Sequence, residues 1–291
     1  MDEPKINPYI AILVGVLSVS TSALFVKLSS APSGVIAFYR LFFSVLLMLP
    51  LFLFRYQHEL RAIRKIDWLL SGIAGIFLAF HFIFWFESLN YTSVASSTVL
   101  VTIQPLFAFV GTYFIYKEKL SLKTIVSAII AILGCVLISW GDFYINGEAL
   151  WGDFLALFAC ALITAYLLFG QSVRKRLSLI TYTFIVYFIS TVVLLIYVVI
   201  NNEPLLGYPP EDWFYFLLLA IFPTLLGHSL FNWSIKWVST NVISMAILFE
   251  PVGAAILAYI FLQENLVWTQ WLGGIIVLIG LGIFSLKTSN N

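Results

Sequence analysis

Ten apolar runs, each close to the length that crosses a bilayer, fill most of this 291-residue chain. They fall at about 9–28, 33–54, 68–88, 94–115, 121–140, 152–173, 179–200, 213–233, 240–262 and 267–286. A helix needs roughly 20 apolar residues to span the ~30 Å hydrocarbon core. Inside lipid, only helices and closed barrels satisfy their own backbone polar groups. Joints such as "NYTS" and "KEKLS" leave room only for helical hairpins. The chain therefore reads as an all-α integral membrane protein with ten transmembrane helices. Only 10% of its residues are charged, against roughly 25% in soluble domains, which argues against a soluble domain beside the bundle. The first run follows "MDEPK" and lacks a small-residue cleavage site, so it reads as a retained helix rather than a signal peptide.

Lysine and arginine placement orients the helices. Lys5, Arg55, Arg61, Arg64, Lys65, Lys117, Lys119, Lys123, the "RKR" of 174–176, Lys236 and Lys287 all fall on one side if both termini are cytoplasmic. Lys27 stands alone on the other side, whose loops "GDFYINGEA" and "NNEPLLGYPPED" are neutral or acidic. This places the chain in a cell membrane with both ends inside. A net charge of +1 provides no basic field for nucleic acid. Cys135 and Cys160 sit in apolar runs, unsuited to a disulfide framework or structural zinc site. No G-x-x-x-x-G-K-[ST] loop and no H-E-x-x-H set occurs, so neither direct ATP use nor a membrane-embedded enzyme is indicated. No metal site and no cofactor are expected.

The chain also repeats itself. A shift of 146 residues aligns 88–139 with 234–285 without a gap. Ser88 then meets Ser234, Ser93 meets Ser239, Pro105 meets Pro251, Glu118 meets Glu264 and Gly134 meets Gly280. The offset equals five helices. Five is odd, so residues 1–146 and 147–291 form two five-helix repeats of inverted topology. Inverted repeats are a recurring plan of secondary transporters, with the substrate site near the midplane where the repeats meet.

"AFYR" (37–40), "LNYTSVASSTVLVTIQPLFAFVGTYFIYKEKL" (89–120) and "VSTNVISMAILFEPVGAAILAYIFLQENL" (238–266) carry a resemblance. The chain resembles the drug/metabolite transporter superfamily, in its EamA-like ten-helix branch. The resemblance covers essentially the whole chain and implies export of amino acids or other small metabolites, though some members import. One departure is that the glycine common before the helix-end glutamate is Lys117 in one half and Gln263 in the other.

Glu250 is the residue most in need of an explanation. It lies ten residues into the ninth run, about 15 Å along the helix and therefore at midplane. An ionised acid there costs roughly 2.5–3.5 kcal/mol on insertion scales. It is a candidate proton carrier, cation site or partner of a substrate ammonium, or else a structural glutamate hydrogen-bonded between helices. Pro251 and Pro105 each remove a helix donor and push the preceding turn open. Carbonyls exposed at that depth are tolerated only in protein or against a wet cavity, so two symmetry-related kinks predict a cavity wall. Gln104 is the repeat mate of Glu250.

His81, Trp85 and Ser88 share one helix face, and His228 and Asn232 share another, with Trp233 beside them. Each histidine is either pocket lining or a packed interhelical donor. Arg40 is the other deep charge, with Tyr39 next to it. Its guanidinium suits a substrate carboxylate, but it could instead pair with Glu87 or snorkel outward. Ser22, Thr164 and Tyr166 are weaker lining candidates. Glu118 and Glu264 read as structural residues at helix ends, and Ser121 as the cap of the fifth helix. The basic strip 55–67 reads as lying on anionic lipid.

The function expected from this pattern is a secondary active transporter that exports amino acids or related metabolites by alternating access. Its partners would be a small-molecule substrate, membrane lipid and protons. The competing classes are a non-coupled facilitator, channel or lipid scramblase.

Overall fold

The computed structural model describes residues 4, 6–138, 140, 147–263 and 268–288. Helical segments follow one another as α1 (Pro8–Leu28), α2 (Ser33–Ala62), α3 (Lys65–Tyr91), α4 (Val94–Tyr116), α5 (Leu122–Ile138) and α6 (Gly147–Val173). They continue as α7 (Leu179–Ile200), α8 (Pro210–Ser234), α9 (Thr240–Phe261) and α10 (Trp268–Thr288). Among the described residues, eight helices are long and apolar enough to cross a membrane. The apolar parts of α5 and α10, Leu122–Leu137 and Trp271–Phe284, are shorter. The described residues contain no strand.

Several helices outrun the hydropathy windows, for local reasons. Helix α8 starts at Pro210, with Glu211 and Asp212 in its first turn. Proline at a helix start gives up only an N–H that has no partner there, and acids suit the positive end of the dipole. Helix α2 runs on past Pro50 through a π turn, Phe52–Tyr56, and a 3₁₀ turn, Gln57–Ala62. The basic strip is thus partly helical, and two of its residues pair within the protein. Arg64 Nε lies 2.8 Å from Asp67, and Arg176 Nε donates to the same carboxylate at 2.9 Å. The α2–α3 and α6–α7 connections therefore share one end of the bundle. At the other end, Ser30 donates to Asp212 through its backbone N–H (2.9 Å) and its hydroxyl (2.7 Å).

Helices α5 and α10 meet reciprocally. A Cβ added at Gly134 would stand 2.7 Å from Gly273 O and from Val277 N. One added at Gly280 would stand 2.8 Å from Ala131 N and 2.9 Å from Ser127 O. Gly280, Gly273 and Val277 are the 146-residue counterparts of Gly134, Ser127 and Ala131. Such exchange of partners is the mark of a two-fold contact. The obstructing atoms are backbone and cannot rotate away. Gly134→Ala or Gly280→Ala is expected to destabilise the protein by roughly 1–3 kcal/mol, as overpacking does. Thermal unfolding in detergent would register this as a lowered midpoint, and an unchanged midpoint would show that the helices separate freely.

The positions before the two helix-end glutamates share a conformation. Lys117 has φ 57° and Gln263 has φ 56°, both left-handed. A non-glycine residue there is held at a cost of roughly 1–2 kcal/mol, which gives a physical reason for glycine at such a position. Part of any gain from glycine is offset by its greater freedom when unfolded. Lys117→Gly is therefore expected to raise stability by roughly 0.5 kcal/mol, measurable in the same melt; a lowered midpoint would contradict this account. Glu118, next in sequence, accepts from Gln171 Nε2 (3.1 Å) and Asn241 Nδ2 (2.9 Å), while Gln171 Oε1 accepts from Thr240 N at 2.8 Å. These bonds latch the ends of α4, α6 and α9 together. Glu264 lies outside the described residues. Ser121 accepts from Thr124 N at 3.2 Å, capping α5.

Candidate functional site

Four interruptions gather near the middle of the bundle. In α1 the helix breaks between Val19 and Ser22. There, within "SVSTS", Ser18, Ser20 and Thr21 hydrogen-bond back to carbonyls of the preceding turn, a habit that weakens and bends helices. Helix α4 stops at Thr102 and restarts at Gln104. Helix α9 stops at Ile247 and restarts at Glu250. The prolines therefore do more than kink their helices. Each sits at the start of a second half-helix, where a missing N–H costs nothing. In α8, Pro223 lies inside a π turn, Ala220–His228, a third proline device that the repeat did not reveal.

These interruptions surround one cavity. Its walls include Ser22 of α1, Arg40 of α2, His81 and Trp85 of α3, Gln104 of α4, His228 of α8 and Glu250 of α9. Val19, Val101, Ile163, Leu167, Phe231 and Ile247 complete it. It leaves about 20 Å³ for the centres of water-sized spheres, room for one or two waters. Its polar wall residues are buried, from Arg40 at 0% exposed to His228 at 8%.

The side chains are arranged with several polar atoms unmatched. Glu250 opens the second half of α9, where the dipole's positive end favours a carboxylate. Its backbone carbonyl accepts from Ser20 Oγ at 3.4 Å, but its carboxylate makes no hydrogen bond or ion pair among the described residues. Arg40 Nε donates to Thr224 Oγ1 at 2.7 Å, and Nη1 to Ser22 Oγ at 2.8 Å. Arg40 Cζ lies 4.1 Å from the centroid of the Phe82 ring. Arg40 Nη2, Trp85 Nε1 and Gln104 Oε1 are buried without partners among the described residues. His81 Nδ1 lies 2.9 Å from Ala159 O. A carbonyl only accepts, so Nδ1 carries the proton and a neutral ring keeps Nε2 as an acceptor. The cavity thus offers donors from Arg40 and Trp85 and acceptors from Gln104, His81 and Glu250. Such a set can hold a solute with one anionic and one cationic group.

Three candidates lie elsewhere. Asn232 donates to Tyr166, and its backbone carbonyl accepts from Arg174 Nε at 2.8 Å. It ties α8 to α6 behind the cavity wall. Trp233 borders an apolar groove with Ile6, Ala11 and Met48. Tyr39 donates to Leu205 O at 2.6 Å and stacks on Phe216 at 5.1 Å. The structural roles weighed for Arg40 do not occur either. Glu87 accepts from Asn90, and Arg40 is too deep to snorkel. Thr224 and Phe82, which hold the guanidinium, were not among the candidates. The one sequence signal for Thr224 was its neighbour Pro223 inside an apolar run. Thr164 donates to Cys160 O at 2.8 Å and stays within its own helix.

The sequence pattern of the EamA-like transporter family matches residues 6–140 and again 150–286. An uncharacterized transporter of Bacillus subtilis (strain 168), YxxF, is 25% identical over 96% of this chain and 89% of its own. An uncharacterized transporter of Archaeoglobus fulgidus is 23% identical over 93% of each chain. A protein of solved crystal structure shares the fold at a TM-score of 0.77, with 17% identity over 97% of this chain and 98% of its own. Matched twice, over nearly its whole length, the chain belongs to the EamA-like transporter family.

Proposed function

We propose that the protein is a secondary active transporter that exports amino acids or related small metabolites by alternating access, with Glu250 as the proton carrier. The observation behind this reading is the cavity that joins Arg40 and Glu250 inside the bundle. A basic and an acidic side chain face one small space, without an ion pair between them among the described residues. A solute's anionic group would satisfy Arg40 and leave Glu250 beside it to take up and release a proton. The volume supports a cycle rather than a fixed pore. About 20 Å³ is far below the roughly 300 Å³ and upward of a small-molecule pocket, so the walls must part for a solute to enter.

The polar contacts at the two ends are the natural points of opening. Glu118 with Gln171 and Asn241 closes one end, and Ser30 with Asp212 ties the other. In this reading residues 1–146 and 147–291 are inverted repeats that rock about the α5–α10 contact. The protein sits in the cell membrane with both termini cytoplasmic. Its partners are the solute, protons and lipid.

The deciding experiment is reconstitution in liposomes with labelled amino acids, amines and aromatic solutes, with and without a pH gradient. Uptake of none of them would end the reading. For orientation, Cys135 and Cys160 are buried, so an added cysteine can be followed. A cysteine at exposed Asn202 is expected to react with an impermeant external reagent, and one at exposed Arg61 only after permeabilisation. The reverse pattern would invert the topology.

A further inference from the structure

Arg40 is a whole guanidinium inside the bundle with no acid in ion-pair reach among the described residues, where the ion pairs are those of Arg64 and Arg176 with Asp67. A buried charge is normally matched by an opposite one. Here its contacts are neutral and directional. Thr224 Oγ1 lies 2.9 Å from Leu219 O, five residues back, a spacing that belongs to the π turn at Pro223. A hydroxyl has one proton. Spent on Leu219 O, it leaves only lone pairs toward Arg40 Nε. Ser22 Oγ accepts from Nη1, at the point where α1 resumes. The guanidinium carbon sits over the Phe82 ring, 4.1 Å from its centroid. The two acceptors therefore fix the direction of the guanidinium beside that ring, and the nitrogen left over is Nη2, buried and without a partner among the described residues.

Resting on the transporter reading, we infer that Thr224 and Ser22 are positioning residues that aim Arg40 at a carboxylate of the transported solute, so that the cavity selects solutes carrying that group. The irregular backbone of α8 and α1 is what places the two hydroxyls. A regular helix at Pro223 would leave Thr224 bonded four residues back and turned away. Selection follows from the unmatched charge. An anion completes the set, whereas a neutral analogue leaves the guanidinium buried and unpaired.

The test uses the full chain in proteoliposomes, by counterflow of the twenty labelled amino acids and labelled lactate and benzoate. The amide of the best amino acid, which keeps the ammonium but lacks the carboxylate, serves as competitor. The exchanged solute is expected to carry a carboxylate, and its amide to compete at least about tenfold more weakly, the size of a lost charge-assisted hydrogen bond. Thr224→Val is expected to raise KM about tenfold with Vmax nearly unchanged and to narrow the acid-to-amide ratio. Thr224→Ser is expected to restore both. Ser22→Ala supplies an independent variant should Thr224→Val fold poorly, with the same shift in KM expected. An acid-to-amide ratio unchanged in both folded variants, or no rescue by serine, would overturn the assignment. Efficient exchange of lactate or benzoate would support the carboxylate and remove the need for an ammonium. If amino-acid amides are exchanged as well as the acids, the inference falls while the transporter reading stands. Silence across the panel brings down both.

Discussion

Glu250→Gln is expected to leave solute exchange in place and to abolish the response to a pH gradient. The substitution keeps the shape of the side chain. The carboxylate makes no hydrogen bond that an amide would lose, and the roughly 2.5–3.5 kcal/mol cost of an ionised acid at midplane disappears. The variant should therefore insert and fold as the parent does. It cannot carry a proton, so accumulation driven by a gradient should drop to the level of plain exchange. Counterflow and gradient-driven uptake in the same proteoliposomes separate the two activities. If affinity instead collapses for solutes bearing an amine, Glu250 pairs with the solute's ammonium and coupling lies elsewhere. Wild-type behaviour in both assays would leave Glu250 a structural residue at the head of a half-helix.

Arg40→Lys is expected to weaken transport of carboxylate solutes by at least about 100-fold, the lower end of what two charge-assisted hydrogen bonds at roughly 1.5–3 kcal/mol each supply. Charge is retained but geometry is not. An ammonium's three donors radiate from one nitrogen and cannot reach Thr224, Ser22 and the cavity from the separate points that Nε, Nη1 and Nη2 occupy. Size-exclusion chromatography would establish that the variant is folded, and KM from counterflow would report the loss. Normal transport by a well-folded variant would make Arg40 a tie between α1, α2 and α8 and nothing more.

The candidate residues show how far local pattern reaches. His81, Trp85, Gln104, Glu250 and Arg40 were legible because each is polar or charged deep in an apolar run, where solvation alone makes it unusual. Asn232 carried the same signal yet lies behind the wall, since helical spacing fixes which residues share a face but not which neighbour that face meets. The π turn at Pro223 adds to this, shifting the register of α8 just before His228 and Asn232. Thr224 escaped notice because a threonine in a membrane helix usually bonds back within its own helix, as Thr164 does. Its role depends on an arginine 184 residues away.

By itself the sequence determined the membrane setting, the all-helical class, the order of the spans and the two prolines at depth. Each of these follows from lipid being unable to hydrogen-bond, which makes every stretch of backbone satisfy itself locally. Tertiary structure alone decided that the chain breaks in α1, α4 and α9 fall around the same point, and that Arg40 is held by hydroxyls rather than by Glu87. It also closed the cavity to about 20 Å³. These depend on helices distant in sequence meeting at particular rotations, and that is set by close packing between backbones, as at Gly134 and Gly280, and not by hydropathy.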